Sequence, residues 1–407
     1  MEMLAASGET LEQQYRRLAG LERKPDVLVV YCGHNEFSAR FAWSRDVPYY
    51  LDHDRPTGLG ALFATAERAS PLCRWIRSTA DRLRVAIPPP PEGYRDLVDA
   101  PAFTVEEARL VRDDFARRLK AIAAWSEGLG IPTVLLAPPG NDSGFEPSRS
   151  CLDPTATRAE REAFAADFRR ARAMESRDPA RAEQLDRALL GRGPGFAEVH
   201  YRLGRLLEAR GEYAAAHQHD RLARDLDALP IRCPTPLLLA YHQAGKATGA
   251  AVIDGPELFR RISPDGLLDD RLFHDGMHPS LAGQVALAEA ILAALKALGA
   301  LGWPADVPAP TIDPAEVAGR FGIDGVAWYR LCKWGAMFQH KTAPARYDPS
   351  HRLAMLARFE EAAARLQANE KAEDLGLPNI GVPGPVPLPE VHPDWLAIPP
   401  GSAAGVH

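Results

Sequence analysis

What this chain lacks narrows it first. Its five cysteines (Cys32, Cys73, Cys151, Cys233, Cys332) are scattered along 407 residues with no Cys-x-x-Cys pair. That excludes a disulfide-framework protein or a zinc ribbon, and it suits a reducing compartment, cytoplasmic by default. No run approaches the roughly 18 apolar residues of a spanning helix, so the chain is expected to be soluble with no membrane segment. Residues 1–6 carry neither the basic region nor the apolar stretch of a signal peptide. Positive charge is not in excess: 48 Lys and Arg against 54 Asp and Glu leave a net charge of −6, with no basic field for nucleic acid. Glycine (32) and proline (36) fall short of a low-complexity composition. What is there is a globular mixture, 46% hydrophobic and 25% charged, with length for two or three domains.

Apolar periodicity alternates along the chain. Residues 3–6 read as a short strand and Ser7-Gly8 as the turn leaving it. Thr10 and Gln13 have the spacing of a capping box, followed by Leu11, Tyr15, Leu18 and Leu21 at helical intervals. Val27-Leu28-Val29-Val30-Tyr31 is a continuous β-branched run of the kind buried in parallel sheets. A helix lined by Ala108, Val111, Phe115, Leu119 and Ile122 precedes a strand at 133–136; a helix near 237–245, a strand at 251–253 and a helix over 281–298 follow. This order predicts an α/β, doubly wound parallel sheet with helices on both faces.

Two segments interrupt it. Residues 156–230 are Ala-, Arg- and Glu-rich and helical throughout, and 197–230 fits one 34-residue tetratricopeptide-like period through Leu203-Gly204, Gly211, Tyr213, Ala216 and Ala223. One repeat cannot bury its own apolar face, so this segment is expected to lean on the main domain and could contact a protein partner. Residues 301–407 form an extension, helical around 314–338 and 349–366, with a Pro-rich tail from 377. The predicted organisation is an α/β domain in two parts (1–155 and 231–300), split by the insertion and followed by the extension.

Polar residues collect at two loops. The first, Tyr31-Cys32-Gly33-His34-Asn35-Glu36-Phe37, leaves a predicted strand at its carboxyl end, where open α/β sheets bind ligands. Asn35 can offer a side-chain N–H to an oxyanion, or it can satisfy its own backbone. The second is His274-Asp275-Gly276-Met277-His278-Pro279-Ser280. Asp275, three residues before His278, can orient that imidazole as a general base. Pro279 suits the first turn of the following helix. A metal site at His274 and His278, or a purely helix-capping role, are the competing readings; Gly276 and Pro279 argue against the continuous helix that the metal pair would need.

Together, Gly-x-Asn and a late Asp-x-x-His-Pro-Ser resemble the SGNH/GDSL hydrolase superfamily. Residues 6–12, 23–26 and 33–37 resemble its branch carrying a tetratricopeptide segment, and the likeness spans about 3–300. The resemblance implies a serine ester hydrolase of the esterase or lipase kind, with His278 as base, Asp275 as its partner, and Asn35 and Gly8 as oxyanion donors. It implies an acyl-ester or other small-molecule substrate, and no metal or organic cofactor. Where the family commonly has Asp after the Asn, this chain has Glu36.

The family's nucleophilic serine ends a strand lying before the position matched by Gly8, and no such segment stands there. The chain is therefore expected to be inactive as it stands, with the nucleophile upstream. Ser143 in Gly140-Asn141-Asp142-Ser143-Gly144 and Ser7 are weaker substitutes. The alternative is a non-catalytic binding or scaffold protein on a hydrolase fold.

Overall fold

The computed structural model describes residues 4, 8–38, 72, 103, 105–153, 155–304, 306–343 and 350–383. Of the strand expected at 3–6 only Leu4 is described, and it is in no strand. Ser7 and the Pro-rich tail beyond 383 lie outside the described residues.

Three β-branched or apolar runs form one parallel sheet in the order β1 (Leu28–Tyr31), β2 (Thr133–Ala137), β3 (Ala251–Asp254). Val30 is paired with Leu135, and Leu135 with Val252. The central strand β2 is buried along its whole length, as its sequence predicts. β1 alternates instead: Leu28 and Val30 are buried on one face of the sheet, while Val29, on the opposite face, is exposed.

Side-chain alternation in the strands sends successive residues to opposite faces, and each face has its own apolar layer. On one, Leu28, Val30 and Leu135 meet helices α1 (Leu11–Ala19), α2 (Val105–Gly128) and α7 (Thr235–Thr248) through Leu18, Phe115, Leu119 and Tyr241. On the other, Val134, Leu136 and Ile253 meet α8 (Gly255–Ile262) and α9 (Leu281–Ala297) through Phe259, Ala286 and Ala290. Gln13 Oε1 accepts the Thr10 N–H at 2.9 Å, the expected closure at the start of α1. Pro279 is not in the first turn but two residues before the first helical residue, Leu281: Ser280 is the N-cap of α9, its hydroxyl accepting the Gly283 N–H.

The interruption is two helix pairs, α3 (Arg158–Met174) with α4 (Pro179–Arg192) and α5 (Ala197–Glu208) with α6 (Tyr213–Asp225). Gly204 lets α6 approach α5: a Cβ there would lie 2.1 Å from Asp220 Oδ1. The insertion grips the loop leaving β2. Arg224 pairs with Asp142 at 2.7 Å, and the Asp227 carboxylate accepts the Ser148 and Arg149 N–H groups at 2.7 and 2.9 Å.

The helical extension begins with α10 (Pro314–Arg320), α11 (Gly325–Thr342) and α12 (Ser350–Gln367). A turn at Gly322 (φ 65°) separates α10 from α11, so the first predicted helical stretch is two helices. Trp328, Cys332 and Ala336 of α11 pack on Met355 and Phe359 of α12. The chain expected to trail off from Leu377 instead makes one more turn, α13 (Leu377–Ile380), with Leu377 and Val382 buried. Gly381 there approaches the backbone of Leu281 so closely that a Cβ would lie 2.6 Å from its nitrogen.

Candidate active site

The loops after β1 and β2 and the turn at 273–279 gather at the carboxyl edge of the sheet. Phe273 and Pro279 bridge in antiparallel fashion, and the His274 N–H donates to the His278 carbonyl at 2.9 Å. The segment is thus a tight reversal, and His274 and His278 do not share a helix face. Inside it the Asp275 carboxylate is fully engaged. Oδ1 accepts the N–H groups of Met277 and His278 at 2.8 and 2.9 Å, and Oδ2 accepts from His278 Nδ1 at 2.7 Å. With Nδ1 donating, a neutral His278 carries its lone pair on Nε2. Asp275 is 0% exposed and the His278 side chain 50%, so the carboxylate is sealed while the imidazole faces outward.

The electrostatics follow from this asymmetry. Burial opposes the charge on Asp275, but the bond and charge of His278 and the two backbone N–H groups outweigh it and hold the pKa below 3.8. Burial likewise opposes a charged His278; the Asp275 bond and charge overcome it and raise the pKa above 6.5. An imidazole oriented by a buried carboxylate, with its second nitrogen open, is equipped to take a proton from a hydroxyl.

Asn141, from the loop after β2, braces the reversal. Its Nδ2 donates to the Asp275 carbonyl at 3.1 Å and to Asp270 Oδ1 at 2.8 Å, and its backbone N–H donates to the Gly276 carbonyl at 3.0 Å. Gly276 is needed here, since a Cβ would stand 3.0 Å from the Phe145 ring.

The exit of β1 comes to the same neighbourhood. Gly33 (φ 127°) passes so close to Cys233 that a Cβ would lie 2.8 Å from its Sγ. His34 Nδ1 accepts the Cys233 N–H at 3.1 Å. Burial first, then the nearby positive charge of His278, pushes the pKa of His34 down to about 3, so it is a neutral fixture. Asn35 Nδ2 donates to the Glu9 carbonyl at 3.1 Å, which ties the two expected oxyanion donors together, since Gly8 is the preceding residue. Gly8 has φ 79°, with no atom within 4 Å of a built Cβ: backbone conformation, not space, calls for glycine there. Glu36 is buried, and its Oε1 accepts the Leu11 N–H at 3.0 Å, satisfying a free donor at the start of α1.

Ser143 does not come to His278. It is buried, and its hydroxyl donates to Glu208 Oε1 on α5 at 2.5 Å. Among the described residues no serine hydroxyl is hydrogen-bonded to His278, and no group of three or more His, Cys, Asp or Glu could hold a metal ion. No helix among them is long and apolar enough to cross a membrane.

Sequence reading missed the share of the site built by the extension. Trp334 of α11 meets the His278 ring edge-on with centroids 5.3 Å apart, and it stacks on Phe338 at 5.8 Å. Gln339 Nε2 donates to the His274 carbonyl at 3.1 Å, and His351 Nε2 lies 2.7 Å from Asp270 Oδ2. Arg352, fully buried, donates to Glu146 Oε1 at 3.0 Å and lies over the Phe145 ring. The only signal of this in the sequence is the apolar spacing of Ala327, Leu331, Trp334 and Phe338. A second His–Asp pair was also missed: His242 Nε2 of α7 lies 3.0 Å from Asp254 Oδ2 at the end of β3. The chain matches no known protein family, no curated protein and no solved structure.

Proposed function

We propose that this chain is an SGNH-type serine ester hydrolase, its sheet the doubly wound sheet of that superfamily and α5–α6 a tetratricopeptide-like unit. The observation that carries the reading is the Asp275–His278 pair: a sealed carboxylate, an oriented imidazole and an open Nε2 at the carboxyl edge of a parallel sheet. In the reaction, His278 Nε2 takes the proton of a serine hydroxyl as the oxygen bonds to the ester carbonyl carbon. The carbonyl oxygen becomes an oxyanion, held by the Asn35 amide and the Gly8 N–H. When the tetrahedral adduct collapses, the alkoxide leaves with the proton from His278, and water repeats the sequence on the acyl-serine.

Ser143 is committed to Glu208, so the reading takes its serine from outside the described residues. The test is hydrolysis of p-nitrophenyl acetate by the chain and by the chain extended with the reading frame preceding Met1, each with and without His278→Ala. Turnover that disappears with the substitution supports the reading, and in the unextended chain it would point to a serine of this chain outside the described residues, Ser7 among them. Absence of turnover in both forms overturns it. The reading left would be a non-catalytic binding protein, with the insertion as the surface for a protein partner.

A further inference from the structure

We infer that the exposed apolar side of α11 receives the acyl chain of the ester, so that the substrate is a medium-chain acyl ester and not an acetyl ester. The inference rests on the hydrolase reading above.

α11 has two apolar sides. Trp328, Cys332 and Ala336 face the core of the extension. Ala327, Leu331, Trp334 and Phe338, spaced four, three and four residues apart, run along the other side, joined by Met337. A helix packed on one side ordinarily turns polar residues to water on the other. Here Leu331, Trp334 and Met337 are 40%, 39% and 42% exposed. Exposed apolar residues that cluster, unlike scattered ones, mark a surface that binds something.

The occupant is set by where the stripe begins. Trp334 touches the imidazole of His278, and Phe338 extends the apolar wall to Phe145 and Met277. An ester carbonyl within reach of His278 Nε2 therefore has this wall as its first apolar neighbour, and a chain leaving that carbonyl has the rest of α11 to follow. From Trp334 to Ala327 the helix rises about 10 Å at ~1.5 Å per residue, room for roughly eight carbons. The flanking residues Arg330 and Lys333 are exposed, which keeps the rim of the stripe polar.

The experiment compares kcat/KM for p-nitrophenyl octanoate and acetate in the active form of the protein, with Trp334→Ala and Leu331→Glu. The octanoate-to-acetate ratio is expected to exceed one in the parent and to fall about tenfold or more in both variants. A ratio unchanged in both would overturn the inference; so would acetate and octanoate falling together, since Trp334 would then only position His278. A second measurement does not need turnover: calorimetric binding of decanoate to the chain as it stands. Binding that survives His278→Ala and is lost in Leu331→Glu supports the acyl site even if every ester proves inert, in which case the hydrolase reading alone fails. Decanoate that does not bind, or binds the parent and Leu331→Glu equally, overturns the acyl site.

Discussion

Two histidine–aspartate pairs sit near the carboxyl edge of the same sheet, at similar separations, and only one is built like a catalytic unit. In His278–Asp275 the carboxylate is sealed, its second oxygen is held by two backbone N–H groups, and the imidazole uses Nδ1, leaving Nε2 open. In His242–Asp254 the carboxylate side chain is 40% exposed, and its other oxygen accepts the Glu257 N–H as the N-cap of α8. There the imidazole spends Nε2 on the pair. Both pairs shift their pKa values the same way. Burial opposes the rise at both histidines; at His242 the Asp254 bond is the largest influence, whereas at His278 burial is the largest and the Asp275 bond and charge together overcome it. Distance alone does not mark a base; burial of the carboxylate and the choice of ring nitrogen do.

That contrast can be broken most sharply in rate. In the active form, Asp275→Asn is expected to lower kcat on p-nitrophenyl acetate by about 10³–10⁴, as loss of the orienting carboxylate does in serine hydrolases. Asp254→Asn should leave it within about twofold. Next is stability, read by urea unfolding. Asp275→Ala removes three accepted hydrogen bonds and leaves the Met277 and His278 N–H groups and His278 Nδ1 without their acceptor, a cost of about 3 kcal/mol, whereas Asp254→Ala loses a helix cap worth about 1 kcal/mol.

The pH profile sharpens the comparison further. As the proposed base His278 must be neutral, and its pKa is raised, so the acid limb of kcat/KM should have its midpoint above 6.5. In Asp275→Asn the residual activity should show that limb moved to lower pH, while His242→Gln should not move it. The smallest effect is thermodynamic. A raised histidine pKa contributes stability that is complete below 6.5 and lost as pH rises through the folded value. A lowered aspartate pKa contributes stability present above 3.8 and lost as pH falls through the folded value. The window of the His242–Asp254 pair is therefore bounded by about pH 4 and the raised histidine value. His242→Gln should cost less than about 0.5 kcal/mol at pH 5.5, since the pair is partly exposed, and nothing measurable at pH 9.

Much of the scaffold is legible in sequence because its signals are local. Residues 133–137 are apolar throughout and become the buried central strand; Leu11 and Leu18 keep helical spacing and bury one side of α1. Asp275 and His278 are three residues apart, so their bond depends on a turn that Gly276 and Pro279 announce. Asn35 and Gly8 are legible as residue types, but their connection through the Glu9 carbonyl joins segments 26 residues apart. The role of Glu36 is hidden for the same reason: nothing near it in sequence shows that its carboxylate ends at the Leu11 N–H.

The alternation of strands and helices, the break in helix between His274 and Pro279 and the residue types able to form a base were legible in sequence alone, through periodicities and spacings acting over a few residues. Tertiary structure decided which of them meet. It buried Ser143 against Glu208, braced the reversal with Asn141, and brought Trp334 from the far extension onto His278. Those contacts join residues 56 to 134 positions apart, and they depend on the buried ties Arg224–Asp142 and Arg352–Glu146 that lock insertion and extension to the loop after β2. A chain's local pattern can propose a base; only packing over such separations determines what stands beside it.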